Sequence, residues 1–320
     1  MSVALAKQNQ SDLDRSLALL SELERQFGRD FLVMVASIVD SIDVDDLTNL
    51  VQTGRVEEVI ADIERQFISF SNQLVAGLVL SGQSTANFIS EALNLTFSFD
   101  MTNQSAVNSM RETRLRTITN LSTTQREAIR AVLVEGITQG VNPRVQARGI
   151  LGAIGLTGQQ VQSVQNYRRL LEQNSARALL RELRDRRFDS TVRRAINNDT
   201  PLTAAQIDKM VGRYRERTLR FRSQVIARTE ALRAVNEGNF LAYQQAAEQG
   251  VLDLNDLSRE WFTAQDERVR GSHKAMHGQL RGFDEQFISG LGNRLRFPGD
   301  ISAPGNETIQ CRCVAITRFF

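Results

Sequence analysis

No proline interrupts the first 142 residues; the first of the four prolines is Pro143. Proline inside a helix removes a hydrogen bond and costs about 3 kcal/mol. A proline-free stretch this long, rich in Ala, Leu, Arg, Glu and Gln, is free to run as long helices. The apolar residues supply the matching period. Leu13, Leu17, Leu20, Leu23, Phe27, Phe31, Val35 and Ile38 advance in steps of three and four, which is one face of an amphipathic helix over 12–41. Asp43, Asp45 and Asp46 break that pattern. A second helical stretch is expected from Val56 through Ile60, Ile63 and Phe67, and a third from about Thr85 to Leu95. Long helices on short connections make a bundle or an extended arm. Each apolar stripe is read first as core packing, with docking onto a neighbouring subunit as the functional alternative.

The middle of the chain is punctuated more plainly. Ser122 and Gln125 have the spacing of a capping box ahead of Ile129, Val132, Leu133 and Ile137. Gly140 stops that helix, Asn142-Pro143 starts the next, Gly155 ends it, and Thr157 caps the helix carrying Val161, Val164 and Tyr167. Two short helices joined at GAIGLT match a DNA-binding helix-turn-helix loosely. A compact helical domain is the preferred reading, because helical hairpins are common.

Charge is unevenly spread. Residues 1–100 hold 6 basic and 15 acidic side chains, a net −9, whereas 161–230 hold 16 basic and 8 acidic, a net +8. The arginine-dense stretch 168–228 reads as a phosphate-binding face for packaged double-stranded DNA, or as a solvated face with i,i+4 pairs such as Glu182–Arg186. An acidic protein surface is the other anionic partner it fits. No aromatic residues interleave it in the way single-strand stacking needs. A further helix is expected over 221–249, ended by Gly250.

Beyond Gly250 the helical period disappears and Gly, Pro and Phe become frequent. Short strands are expected at REWFTA (259–264) and CVAITRF (313–319). Both histidines, His273 and His277, and both cysteines, Cys311 and Cys313, lie here. Two His and two Cys are a full donor set for tetrahedral zinc. Four residues apart on a helix, the two imidazoles share a face; two apart on a strand, so do the two sulfurs. A structural Zn2+ site at His273, His277, Cys311 and Cys313 is the expectation. The competing reading has no metal, with histidines bonded to local backbone and cysteines as small buried residues. The segment His-Lys-Ala-Met-His lacks the glutamate of a metalloprotease helix, and four protein ligands leave no open position for water. There is no phosphate-binding loop and no dinucleotide fingerprint. Two cysteines give no disulfide scaffold. The N-terminal residues do not read as a signal peptide, and the longest apolar run, Phe31 to Val39, is too short to span a bilayer. These features lead to the expectation of a soluble, intracellular-type protein without stable membrane insertion.

Four blocks carry a resemblance: ARTEALRAVNEGN (227–239), W-x-T-x-x-D-E-R-V-R-x-S-H-x-x-M-H-G (261–278), FPGD (297–300) and E-T-I-x-C-R-C (307–313). In order and spacing they resemble the head morphogenesis domain of the Mu F-like minor head proteins of tailed phages. The likeness covers about 206–320, with a weaker one over 99–172. Many relatives carry C-x-x-C where this chain has Arg270-Gly271-Ser272-His273. The resemblance therefore places His273 at the second cysteine, with His277 expected to supply the missing ligand. It implies a non-enzymatic minor structural protein of the virion, at the capsid interior or portal vertex, assembled in the host cytoplasm. Its implied partners are the portal protein, the major capsid or scaffolding protein, and packaged DNA through 168–228, with head assembly, DNA packaging and ejection as its setting. The alternative is a zinc- or cysteine-dependent hydrolase of head maturation or ejection.

The expected fold is mainly α: long helical N-terminal and middle regions followed by a small loop-rich α+β C-terminal domain. The expected divisions are an N-terminal helical arm or bundle (1–105), a middle helical domain (106–205) and a head morphogenesis domain (206–320).

Overall fold

A computed structural model describes residues 3–319. Ten helices precede or interleave five short strands: α1 (Val3–Ser41), α2 (Val44–Gln52), α3 (Val56–Leu93), α4 (Gln104–Thr138), α5 (Pro143–Ala153), α6 (Gly158–Glu172), α7 (Asp189–Asn197), α8 (Ala204–Glu248), β1 (Leu257–Thr263), α9 (Gly271–Lys274), β2 (Leu280–Gly282), β3 (Phe287–Ile288), β4 (Arg294–Leu295), α10 (Gly305–Thr308) and β5 (Cys313–Phe319). The expected class holds: mainly helical, with a small antiparallel C-terminal portion.

Local rules placed several boundaries well. Asn142 accepts a hydrogen bond from the Arg144 N–H, and Pro143 opens α5. Thr157 and Gln160 form the reciprocal capping box of α6. Thr203 and Gln206 pair in the same way ahead of α8. Gly155, at φ +78°, takes the left-handed conformation that ends a helix without a Cβ penalty.

Three expectations need correction. The second and third helices of the first hundred residues are one helix, α3. Two polar residues in its middle, Ser81 and Thr85, are buried and paired: Ser81 Oγ donates to Val235 O, and Thr85 Oγ1 to Asn239 Oδ1. The Ser122/Gln125 box caps nothing, because α4 runs through it. Gln125 instead donates to Ala153 O and accepts from Gly155 N, so its amide stabilises the end of α5. The third correction lies between α6 and α7. There the chain makes two 3-10 turns, Ala176–Leu180 and Arg186–Phe188, and the helical pair Glu182–Arg186 is not formed.

The chain divides into two compact units. One gathers the chain up to Asp30, Phe70–Arg116 and everything from Gln224; the other is Phe31–Ser69 with Thr117–Ser223. In the second unit Tyr167, Leu171, Val192, Met210 and Tyr214 are buried in one core, with the Tyr167 and Tyr214 rings stacked at 4.5 Å. In the first, Leu23, Phe27, Leu74, Leu78, Ile89, Leu232 and Val235 are buried. Its C-terminal module builds a three-stranded antiparallel sheet in the order β2-β1-β5. Trp261 stands opposite Ala315 and Thr263 opposite Cys313, and β3 pairs with β4 separately. Arg259 on β1 is buried. Its guanidinium donates to the carbonyls of Arg296 and Glu285 and lies 5.2–5.4 Å from the rings of Phe240, Phe283 and Phe287.

Candidate metal centre

The strand pairing carries Cys313, the first residue of β5, to the end of β1. Cys311 lies two residues earlier, outside the strand. Both thiols converge on one imidazole: His273 Nδ1 is 3.3 Å from Cys311 Sγ and 3.5 Å from Cys313 Sγ. All three ligand atoms lie within 4.8 Å of one another. The cluster sits in an apolar core with Leu232, Trp261, Met276, Phe287 and Leu295, and the Trp261 ring meets His273 edge-on at 5.2 Å.

His277 lies apart from this group. The backbone N–H of Thr263 donates to its Nδ1 at 3.2 Å, its Nε2 contacts the Gln265 amide, and its ring meets Phe262 edge-on. The expected shared face needed a helix through both histidines. Helix α9 is a single turn that ends at Lys274, so the four-residue spacing no longer aligns them. Among the described residues, the structure therefore gathers three of the four expected donors.

The donor set itself suits zinc. Zn–N bonds of about 2.0–2.1 Å and Zn–S bonds of about 2.3 Å at a tetrahedral angle set an N–S separation of about 3.6 Å. The two observed separations, 3.3 and 3.5 Å, are close to it without rearrangement. The thiols behave as a pair. Cys311 is pulled well below the usual thiol value by a hydrogen bond from Cys313 and by His273, against burial, while Cys313 is pushed up by giving that bond and by burial. The direction at Cys311 favours the thiolate, the form in which a cysteine ligates a metal.

Glu307, on α10, is the polar residue that the expected ligand set missed. It is fully buried and 3.0 Å from His273 Nε2, though off the line of a straight hydrogen bond. Oε1 accepts from Ser289 and Asn293, and Oε2 from Ser272. Burial alone would raise this carboxyl; the bonds from Asn293, Ser289 and Ser272 and the adjacent imidazole outweigh it and hold it below the ordinary range. In sequence it opens the E-T-I-x-C-R-C block, the one signal that could have found it, although a glutamate by type is expected at the surface. Arg270 donates to the carbonyls of Asn306 and Ile309 at 2.6 Å each. The residue at the first-cysteine position of the resemblance therefore holds the α10 turn in place.

The remaining block residues secure the module to α8. Gln310 N donates to Thr229 Oγ1, Arg233 Nε to Gly299 O, and Ala315 N to Asn236 Oδ1. Glu230 pairs with Arg116 and Arg233, and Ser109 donates to Glu237. Asn239 accepts from Ser81 and Thr85 and donates to Ser16. A Cβ on Gly238 would stand 2.6 Å from Leu78 O and 2.8 Å from Gly82 N, so α3 and α8 cross there nearly backbone to backbone. In the FPGD block, Asp300 accepts from the N–H groups of Arg296 and Ser302.

The chain is 28% identical over 95 residues to minor head protein GP7 of Bacillus phage SPP1. That stretch is 30% of this chain and spans 29% of that protein's length. No solved structure matches this chain. A family model, Phage Mu protein F like protein, matches residues 127–316, which takes in the basic stretch, α8, the His273, Cys311 and Cys313 cluster and most of β5. The chain belongs to the Phage Mu protein F like family.

Proposed function

We propose that this protein is a minor structural component of a tailed-phage head. It acts at the portal vertex and capsid interior, and its partners are the portal protein and the major capsid or scaffolding protein during procapsid assembly, DNA packaging and ejection. The observation that carries the reading is the use made of the family blocks. Their polar residues hold the C-terminal module against α8 and close a buried metal cluster, an arrangement that serves a rigid assembly part. Quantifying the protein in purified virions and in isolated procapsids tests it; absence from both refutes it.

In this reading His273, Cys311 and Cys313 hold Zn2+, and the ion's role is to cross-link α9 to the start of β5 in a module with a small core. Elemental content of protein purified without added metal should be about one zinc per chain; a metal-free, well-folded preparation refutes the metal.

The basic stretch 168–228 contacts packaged double-stranded DNA. Arg168, Arg169, Arg184, Arg187, Arg193, Arg213, Arg217 and Arg228 already face carboxylates. Arg177, Arg186, Arg194, Lys209, Arg215 and Arg220 are exposed and form no ion pair among the described residues. Each phosphate neutralised contributes about −0.9 to the slope of log affinity against log salt. Neutralising Arg186 and Arg194 together should flatten that slope by about 2; an unchanged slope removes this face from the contact.

The hydrolase alternative has one observation in its favour, the succession of thiol, imidazole and carboxylate through Cys311, His273 and Glu307. These side chains are 3%, 1% and 0% exposed, which leaves no approach for a substrate. Loss of fold in Cys311→Ala marks the cluster as structural; lost turnover in a well-folded variant would favour the enzyme.

A further inference from the structure

We propose that Glu307 is the positioning carboxylate of the metal centre, holding the proton of His273 on Nε2 so that the Nδ1 lone pair faces Cys311 and Cys313, and that His277 takes no part in binding. This rests on the metal reading above and adds a residue beyond its three donors.

The argument starts from valence. A neutral imidazole has one N–H and one lone pair, and a metal needs the lone pair. His273 Nδ1 points at both sulfurs, so with a metal ion held between them the proton belongs on Nε2. A carboxylate oxygen stands 3.0 Å from that nitrogen, where an unprotonated nitrogen would set lone pair against anion. Glu307 is a carboxylate by its own surroundings: the Asn293 amide N–H can only donate, and Ser289 and Ser272 supply two further O–H groups. Three donors fix the carboxylate before any metal arrives. Its seat is fixed as well, because Arg270 grips the carbonyls on either side of Glu307, at Asn306 and Ile309. A histidine ligand that donates its other N–H to a carboxylate is held in orientation and made a better donor, and losing that partner lowers metal affinity about 10–100-fold. His277, with both ring nitrogens engaged by Thr263 and Gln265, has no lone pair directed at the cluster.

The test uses the full-length chain. Zinc affinity is measured by competition with a chromophoric chelator for the unsubstituted protein, Glu307→Gln and His277→Ala. Glu307→Gln keeps size and one acceptor but loses the charge; its affinity should fall about 10–100-fold while the metal-free variant keeps the wild-type far-UV spectrum. His277→Ala should bind within about twofold of wild type. A Glu307→Gln protein that binds as tightly as wild type, or a His277→Ala protein that loses affinity to the same degree, overturns the proposal and leaves the metal reading standing. An unsubstituted protein that binds no zinc overturns the metal reading itself. Should Glu307→Gln fail to fold, the histidine tautomer decides instead. With only two histidines in the chain, nitrogen NMR of the isotope-labelled, metal-free wild-type protein separates them, His277→Ala assigning the signals. A proton on Nε2 of His273 supports the proposal, and an Nε2 that carries none refutes it.

Discussion

Gly238→Ala should destabilise this protein although alanine is the better helix former. Both Gly238 and Gly212 lie inside α8, where replacing glycine by alanine contributes about 0.8–1.0 kcal/mol of helix propensity. At Gly212 a Cβ meets nothing within 4 Å, so the propensity gain should appear in full. At Gly238 the new methyl would lie 2.6 Å from Leu78 O, 2.6 Å from Ser81 Cβ and 2.8 Å from Gly82 N. Ordinary carbon contacts lie at about 3.5–4.0 Å, so an overlap of roughly 1 Å falls on backbone that no rotamer change can move. Relief requires parting α3 from α8. That strains the bonds from Ser81 Oγ to Val235 O and from Ser81 and Thr85 to Asn239. Overpacking costs about 1–3 kcal/mol. Taking the upper end, because two of the three atoms struck are backbone, and subtracting the propensity gain leaves a net loss of about 2 kcal/mol. Denaturant midpoints of the two variants, read with a common slope, should move in opposite directions. Equal shifts, or a Gly238→Ala protein at least as stable as wild type, would refute the close crossing.

The other predictions concern buried charge and the metal. Arg259→Met keeps the volume but leaves the Arg296 and Glu285 carbonyls without their guanidinium, and should cost about 2 kcal/mol or more; a midpoint within error of wild type would show that those bonds contribute nothing. Burial pushes the Glu237 carboxyl up, so the folded state holds that proton more tightly than the unfolded one. Its contribution is present below the ordinary glutamate value and is lost as pH rises through the raised one; Glu237→Gln should therefore be more stable than wild type at neutral pH, with a flatter profile in that window. Asp185 is the opposite case. A hydrogen bond from Arg187 lowers it to about 2, so its contribution is present above the ordinary aspartate value and is lost on acidification between 3.8 and about 2; Asp185→Asn should remove part of the acid transition there. Chelation of the bound ion should lower the melting temperature of wild type and leave that of Cys311→Ala/Cys313→Ala unmoved, checked by melts with and without chelator.

What could be read along the chain is what depends on neighbours a few residues away. The stripe from Leu13 to Ile38 became α1, Asn142-Pro143 and Thr157 with Gln160 became helix starts, and the two predicted strands pair with each other as β1 and β5. Caps, periods and alternation are set by local backbone geometry, so short windows of sequence contain them. The clustering of two His and two Cys in one loop-rich stretch likewise marked the segment in which three of those side chains meet. Tertiary structure decided where each polar side chain found its partner. Ser122 and Gln125 have the chemistry of a cap, yet Gln125 serves the end of α5. Ser81 and Thr85 fall where the sequence suggests one helix has ended and another begins, yet α3 is continuous there and both side chains bind α8. His277 has the right spacing from His273, but α9 ends after one turn, while Glu307, distant in sequence and unremarkable in type, is carried to His273 by the α10 turn. A polar group accepts whichever complementary group the fold brings within about 3 Å, and sequence spacing predicts that partner only where secondary structure alone fixes the distance.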